Sequence, residues 1–186
     1  KLLPFDQEQL QQVDTEIRQA ISPTRLLTPD DLRGDFDTLR AALQTRGWPR
    51  LADCRGKIFF ALDNEGALME RYLEDHPSLR GRAMLASVAP EHPAAAFRKL
   101  NDPERQFEEI QRSVRGGLIV RTRADANTTQ ARNNDPTQRD RALATGAQFV
   151  STDYWNADPR LSSYQVRFSQ DRFARRNPLV QPEEKR

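Results

Sequence analysis

The sequence has few of the residues on which common protein sites depend. It contains a single cysteine, Cys54, and two histidines, His76 and His92. One cysteine excludes an internal disulfide, and without a Cys/His cluster a structural zinc site is excluded as well. Each histidine is followed by proline and lies between the predicted strands. We interpret both as turn residues rather than catalytic bases, because a base must reach the proton that it removes.

Long hydrophobic runs and a dominant charge sign are also missing. No apolar run approaches the ~18 residues that a membrane span needs, and no basic-then-apolar leader precedes Lys1. Beginning at Lys1, the sequence resembles a mature or trimmed product, so the missing leader leaves the compartment open. The 29 basic and 27 acidic residues give a net charge of +2. Because the basic residues form no dense stripe with interleaved aromatics, we predict no nucleic-acid partner.

The first fifty residues predict helices. Residues 6–21 place Leu10, Val13 and Ile17 on one face of a helix. Thr28 followed by proline and two acids is typical of a helix N-terminus, and Asp35 is predicted to cap a further helix. We therefore expect residues 1–50 to be mainly helical and to lack a strand.

From residue 56 onward, short apolar runs alternate with helical segments. Runs that are apolar on both faces are typical of a parallel sheet covered by helices, which predicts an α/β fold. We predict four β/α units within residues 56–154, including a helix over 93–100, and a short extra strand over 163–168. The chain, 1–186, is treated as a single region with a mobile tail over 177–186. The four predicted strands are Ile58–Leu62, Arg82–Val88, Leu118–Val120 and Ala147–Val150.

Polar side chains follow most of these strands. Ligands bind at the carboxyl ends of parallel strands in α/β folds. Arginines there can clamp phosphate oxygens, and carboxylates and a tyrosine ring can contact the hydroxyls and face of a polyol. The sequence thus predicts a site for a phosphorylated polyol, with Lys57 leading into the first strand. The other candidate residues are Asp63, Arg121, Arg123, Asp125, Ser151, Thr152, Asp153 and Tyr154.

Structural roles are open alternatives for the same residues. Arg123 and Asp125 can form an ion pair without function, and Asp153 can cap the backbone of its own loop. Tyr154 can pack a loop as readily as it stacks on a substrate. Asp63 can belong to a simple turn.

Several segments, in one collinear order, resemble the bacterial calcium-dependent phosphoinositide phospholipase C family. The clearest are Gly117–Thr128, Arg139–Tyr154 and Arg46–Asp63, and the matches run from about Pro4 to Asn177. The resemblance implies the C-terminal half of a (β/α)8 barrel, in which parallel strands alternate with helices. It also implies a calcium cofactor and two catalytic histidines, all held by early strands that this sequence lacks. We therefore carry over no catalytic residue and no metal ligand, only the late-strand residues as a headgroup-facing wall.

The leading hypothesis is a fragment of a phosphodiesterase that cleaves a phosphodiester next to a polyol headgroup and is inactive alone. The resemblance implies a phospholipid or phosphorylated polyol as substrate, the N-terminal half of the same barrel as a partner, and at most transient membrane contact. It also implies a secreted or periplasmic location. Two alternatives stay open: an enzyme like the glycerophosphodiester phosphodiesterases, and a non-catalytic phosphate- or sugar-binding module.

Overall fold

A computed structural model of the chain describes residues 5–180. The chain, which the sequence analysis treats as one region, divides into two compact units, Lys1–Arg98 and Lys99–Arg186. Residues 181–186 of the predicted mobile tail lie outside the described residues. No helix within the described part is long and apolar enough to cross a bilayer.

The first unit alternates helices with short strands. The predicted helix starts are confirmed, because the side chains of Asp6 and Thr28 each accept a backbone hydrogen bond from the first helical turn. The elements are α1 (Gln7–Ala20), α2 (Pro29–Arg33), α3 (Leu39–Arg46), α4 (Leu51–Cys54), β1 (Phe60–Leu62), α5 (Ala67–Leu73), β2 (Met84–Ala86) and β3 (Phe97–Lys99), whose last residue belongs to the second unit.

The strands of the first unit are parallel. β1 pairs with β2 in a register that runs from Phe60 opposite Met84 to Leu62 opposite Ala86. A parallel bridge between Ser87 and Phe97 brings in β3. The N-terminal region also contributes, because Leu26 forms a parallel bridge with Ile58. This isolated bridge was not predicted, and among residues 5–180 no strand begins before Phe60.

Two sequence-based assignments in this unit are wrong. Residues 93–100 were expected to form a helix, but Phe97–Lys99 form β3. Ala94, Ala95 and Ala96 favour a helix by intrinsic propensity, and all three are buried, so tertiary packing overrides that propensity. Asp35 does not cap α3. Thr38 takes that role, its hydroxyl accepting from the amide of Ala41 at 3.0 Å.

A buried polar cluster joins three elements of the first unit. The Asp14 carboxylate on α1 accepts from the Tyr72 hydroxyl on α5 at 2.5 Å and from the Arg82 guanidinium at 3.1 Å. It also accepts from the amide of Ala83, just before β2, at 2.9 Å. Each of these charges has an opposite charge or a strong donor beside it, which offsets the cost of its desolvation.

The second unit is built around two parallel strands. They pair in a register that runs from Arg121 opposite Phe149 to Arg123 opposite Ser151. The amide of Leu100 donates to the carbonyl of Arg121 at 2.9 Å, which extends the hydrogen bonding on the other side. The elements are α6 (Phe107–Arg115), β4 (Ile119–Arg123), α7 (Thr129–Asn133), α8 (Thr137–Ala144), β5 (Phe149–Ser151) and a 3₁₀ turn (Ser169–Asp171).

Small and aromatic side chains form the core of the second unit. One cluster packs Tyr154 and Tyr164 against three alanines, Ala124, Ala131 and Ala142. A second cluster joins Leu100, Ile110, Val114 and Val120, with Leu179 packed against it. Alanines at these contacts let α7 and α8 approach β4 closely, while the tyrosines supply most of the buried area.

One segment near the C-terminus differs from expectation. The strand expected over 163–168 does not form, since that segment makes one backbone bond from Val166 to Tyr154 and a single bridge from Phe168 to Arg172. In the segment 177–180, the side-chain amide of Asn177 donates a hydrogen bond to the backbone carbonyl of Gly146 at 2.7 Å.

These elements make a mixed α/β fold with parallel strands and interleaved helices. Within residues 5–180 the strand pairings form open sheets and do not close into a barrel.

Candidate functional site

The carboxyl-terminal half of β4 presents two arginines on one face. Arg121 and Arg123 are two residues apart, so their side chains leave the strand on the same side. Val120 and Thr122, which alternate with them, are fully buried against the helices, whereas both arginines are half-buried. The sequence therefore places two permanent cations side by side at a strand end.

The two arginines differ in how they are held. A guanidinium nitrogen of Arg121 donates to the Asn101 side-chain oxygen at 2.8 Å, which fixes its position. The Arg123 guanidinium makes no hydrogen bond or ion pair with any of residues 5–180. Ser151 stands opposite Arg123 on β5. A half-buried cation with unused donors suits an anionic ligand that can accept two bonds in parallel.

A polar cavity opens at the same strand ends. It measures about 360 Å³ and is lined by Asn101, Asp102, Glu104, Arg105, Ala126 and Gln138. These residues follow β3 and β4 directly or face the loop after β4. The mixture of carboxylates, amides and a guanidinium can accept from and donate to the hydroxyls of a small polar ligand.

Asp125 lies at the centre of a hydrogen-bond network rather than beside Arg123. Its side chain is 2% exposed. The carboxylate accepts from the Thr152 hydroxyl at 2.5 Å and from the amide of Asp153 at 3.1 Å. The Tyr164 hydroxyl lies 3.4 Å away. Asp125 therefore holds the loop after β5 against the end of β4.

Two tyrosines complete that support. Tyr154 is buried, and its ring meets the Tyr164 ring edge to face, with centroids 5.8 Å apart. The Tyr154 hydroxyl donates to the carbonyl of Asn127 at 3.3 Å. Burial, with the nearby Asp125 carboxylate as a second cause, raises the pKa of the Tyr164 hydroxyl far above its ordinary value. Tyr164 therefore stays a neutral donor over the physiological range.

The remaining candidate residues of the second unit lie at the end of β5 and in the loop that follows it. The Ser151 hydroxyl donates to the carbonyl of Thr122 at 3.1 Å. Thr152 also accepts from the amide of Tyr154 at 2.9 Å. Asp153 is exposed, and its backbone rather than its side chain contacts Asp125. Seven of the predicted site residues thus belong to one connected region of the second unit.

Lys57 and Asp63 belong to the first unit and lie at opposite ends of β1. Asp63 follows the strand, is exposed, and occupies a carboxyl end. Lys57 is exposed as well, but precedes the strand. Six residues of extended chain separate them by roughly 20 Å. The structure therefore does not bring these two candidates together.

The histidines lie in connecting segments. The backbone oxygen of Arg80 is 2.6 Å from a ring nitrogen of His76. The Nδ1 atom of His92 accepts from the amide of Ala94 at 3.0 Å, and burial lowers the pKa of the His92 ring. Each ring thus stabilises a turn. Within residues 5–180, no group of three His, Cys, Asp or Glu side chains is arranged to hold a metal ion. Calcium needs six to eight oxygen ligands, so the described residues do not fit a calcium site.

The chain matches one known protein family over nearly its whole length. Residues 1–178 match the model of the family described as phosphoinositide phospholipase C, Ca²⁺-dependent. The chain belongs to this phospholipase C family. No curated protein matches it.

A solved structure shares the fold of this phospholipase C family member. It is a Ca²⁺-dependent phosphatidylinositol-specific phospholipase C from Streptomyces antibioticus, with a TM-score of 0.56 at 16% identity. The likeness covers 78% of this chain and 58% of that enzyme, so the chain spans less than two thirds of the enzyme's length. At this identity the likeness shows the fold.

Several supporting residues of this phospholipase C chain escaped sequence reasoning. Asn101 positions Arg121, and Tyr164 buries its hydroxyl beside Asp125. Gln130 and Gln138 join to each other at 2.9 Å and bond to the backbone of Ala126 and Arg123. Their partners are up to 39 residues away along the chain, and no local pattern encodes such pairings. The position of Asn101, two residues after the end of β3, becomes a signal only once β3 is recognised.

Proposed function

We propose that this chain is the late-strand half of a barrel phosphodiesterase that acts on phosphoinositides. In this proposal, β4 and β5 form the wall that faces the anionic headgroup. The observation that carries it is the placement of Arg121 and Arg123 on one face of β4, beside a polar cavity, in a member of this family.

The two arginines have distinct tasks in this proposal. Arg121, held by Asn101, gives a fixed positive charge, and Arg123 offers the free fork that binds phosphate oxygens in parallel. Ser151 lies beside Arg123, and Asn101 and Gln138 at the cavity face the polyol hydroxyls. Asp125, Thr152 and Tyr154 position the loop. Asp153 remains a candidate contact, whereas Lys57 and Asp63, at opposite ends of β1 in the first unit, are not assigned to this wall.

The bond-breaking groups lie outside this chain in our proposal. Both histidines stabilise turns, and the described residues hold no metal cluster. The catalytic histidines and the calcium ligands would come from the other part of the barrel, where calcium would stabilise charge on the phosphoryl oxygens. A secreted or periplasmic location is part of this proposal.

Binding of inositol 1-phosphate to the 186-residue chain tests the wall directly. Calorimetric titration is expected to detect binding that Arg123→Ala weakens about tenfold or more, since a charge-assisted hydrogen bond contributes about 1.5–3 kcal/mol. Arg123→Lys should bind with intermediate affinity because it keeps the charge but loses the fork. Arg115→Ala, an exposed arginine on α6, is the matched control and should leave binding unchanged.

A turnover assay tests the division of labour. The chain alone is expected to release no product from phosphoinositide vesicles, with or without calcium, whereas the intact parent should do so only with calcium. Turnover by the chain alone would contradict the proposal, as would equal inositol 1-phosphate affinities for Arg123→Ala and the unchanged chain.

A further inference from the structure

The second unit carries an exposed aromatic surface that no role described above uses. Trp155 is 58% exposed and Phe173 is 63% exposed, and their rings lie 6.3 Å apart. Monomeric proteins rarely leave large apolar side chains clustered in water without a partner. With Phe168, these two side chains border a shallow cavity of about 200 Å³ that Thr152 also lines.

Arginines surround these rings. The segment 167–176 contains four arginines and one aspartate, a net charge of +3 within ten residues. The Arg167 guanidinium stacks over the Phe173 ring at 4.2 Å, and that of Arg175 lies over the Phe168 ring at 4.7 Å. Arg172 and Arg176 are exposed, and neither guanidinium has a hydrogen bond or ion pair with another described residue.

This combination favours one kind of partner. Tryptophan and phenylalanine partition into the boundary between lipid headgroups and acyl chains. Arginines next to them are attracted by the negative surface potential of anionic lipids. A groove for an apolar protein segment would instead be a closed apolar slot, without a rim of four arginines.

We propose that the aromatic–arginine surface, formed by Trp155, Phe168, Phe173, Arg172, Arg175 and Arg176, binds the interface of an anionic membrane. Trp155 and Phe173 insert between headgroups, and Arg172 and Arg176 contact lipid phosphates. Because Thr152 connects Asp125 to this cavity, the surface borders the carboxyl end of β5. Binding there would bring the strand-end site to the lipid. The inference goes beyond the proposed function, since binding needs neither turnover nor headgroup recognition.

Vesicle binding by a single-tryptophan form of the 186-residue chain tests this proposal. Trp48→Phe leaves Trp155 as the only tryptophan reporter. The probe is vesicles of phosphatidylcholine with and without phosphatidylserine, free of phosphoinositide and in the presence of a calcium chelator. We expect the Trp155 emission to shift to the blue and to be quenched by lipids brominated on the acyl chain, only when phosphatidylserine is present.

Charge and apolar variants separate the two components of binding. Arg172→Glu with Arg176→Glu should weaken partitioning at least about 30-fold, because each basic residue near an anionic surface contributes about a factor of five. Arg112→Glu with Arg115→Glu introduces the same charge change on the exposed face of α6 and should reduce binding far less. Phe173→Ala should weaken binding about tenfold or more, from loss of a buried aromatic ring. Circular dichroism of every variant checks that the fold is retained.

Three results would overturn the inference. One is an unchanged Trp155 spectrum with phosphatidylserine vesicles. Another is an equal loss of binding in the Arg172/Arg176 and Arg112/Arg115 pairs. The third is an emission that is already blue-shifted in the chain alone and moves to the red on dilution, which would assign the surface to a second copy of the chain. None of these results depends on whether inositol 1-phosphate binds, so failure here is distinct from failure of the proposed function.

Discussion

At the scale of single residues, Asp125 concentrates the most hydrogen bonds of the candidate site. Its carboxylate collects the Thr152 hydroxyl and the Asp153 amide, with the Tyr164 hydroxyl nearby, in a place that water does not reach. Asp125→Ala would leave these donors without an acceptor. We expect the free energy of unfolding to fall by about 3 kcal/mol, as for lost hydrogen bonds to a buried charged group.

The measurement is urea unfolding followed by circular dichroism. Asp153→Ala removes a carboxylate of the same type from the neighbouring exposed position, and it should change stability by less than about 0.5 kcal/mol. A small and equal effect of both substitutions would show that the network adds little.

Tyr72 and Tyr164 are expected to lower the stability of the fold at alkaline pH. Burial raises the pKa of both hydroxyls above the ordinary value of 10.0, with hydrogen bonding to Asp14 as a further cause for Tyr72. A folded pKa above the unfolded one means that this stability is complete below about pH 10 and is lost as the pH rises further, because the unfolded chain ionises first.

We therefore expect phenolate absorbance and circular dichroism to change together above pH 10.0 for these two tyrosines. Tyr164→Phe should remove this coupling from the second unit and leave the coupled signal of Tyr72 in the first unit. Phenolate absorbance that rises smoothly with the fold intact would contradict the prediction.

At this scale, the hydrogen-bond partners of the late-strand candidates were not predicted from the sequence. An ion pair between Arg123 and Asp125 was an open alternative, because the two residues lie near the end of the same strand. The structure gives Asp125 partners that lie 27 to 39 residues away. Such pairings depend on how β4, β5 and the segment around Tyr164 pack, which no local spacing encodes.

At the scale of elements, the turn after α8 is closed by the segment 177–180. Gly146 has a φ of +77°, and a Cβ added there would lie 2.6 Å from the Leu179 Cδ1 atom and 2.8 Å from its Cγ atom. Leu179 also packs on the core between α6 and β4. A methyl group at Gly146 would therefore both strain the backbone and displace Leu179.

Gly117→Ala is a matched control in the same unit. Its φ is +80°, but nothing lies within 4 Å of an added Cβ. We expect Gly117→Ala to cost about 1–2 kcal/mol from left-handed strain alone, and Gly146→Ala to cost about 1–2 kcal/mol more from the overlap. Thermal unfolding measures both.

A double-mutant cycle isolates the contact. Once Leu179→Ala has removed the leucine side chain, the excess cost of Gly146→Ala should disappear. If Gly146→Ala and Gly117→Ala lower the stability equally while Leu179 is present, the segment 177–180 moves aside without a measurable loss of stability.

The elements that sequence predicted well are those with strong local signals. Capped helices such as α1 and α2 and the apolar strands β1, β2, β4 and β5 appear where they were expected. β3 was missed because an alanine run precedes it and favours a helix. The pairing of Leu26 was missed because a single bridged residue carries no period from which a strand can be read.

At the scale of the whole molecule, family membership and chain coverage give different information. The family match runs through residue 178, yet the chain spans 58% of the length of the similar enzyme. The sequence predicted the α/β class, the parallel strands and the family. The division into two compact units was not predicted. An apolar strand pattern indicates which residues are buried, but it does not indicate which segments of the chain pack together.

Calcium should leave the isolated chain unchanged. Within residues 5–180 no cluster of three possible ligands exists, and only a ligand that binds the folded state raises the unfolding temperature. Thermal unfolding in calcium and in chelator is expected to coincide. A calcium-dependent rise in the isolated chain would place ligands within it.

The arginines of the segment 167–176 are also the sites that trypsin prefers. Cleavage after Arg176 would free the piece that carries Asn177 and Leu179 from its contacts with Gly146. The core cluster of Leu100, Ile110, Val114 and Val120 would then lose the leucine that packs against it. One proteolytic cut at the surface would therefore loosen the interior of the second unit, and a chain shielded by lipid at Arg172 and Arg176 should be digested more slowly.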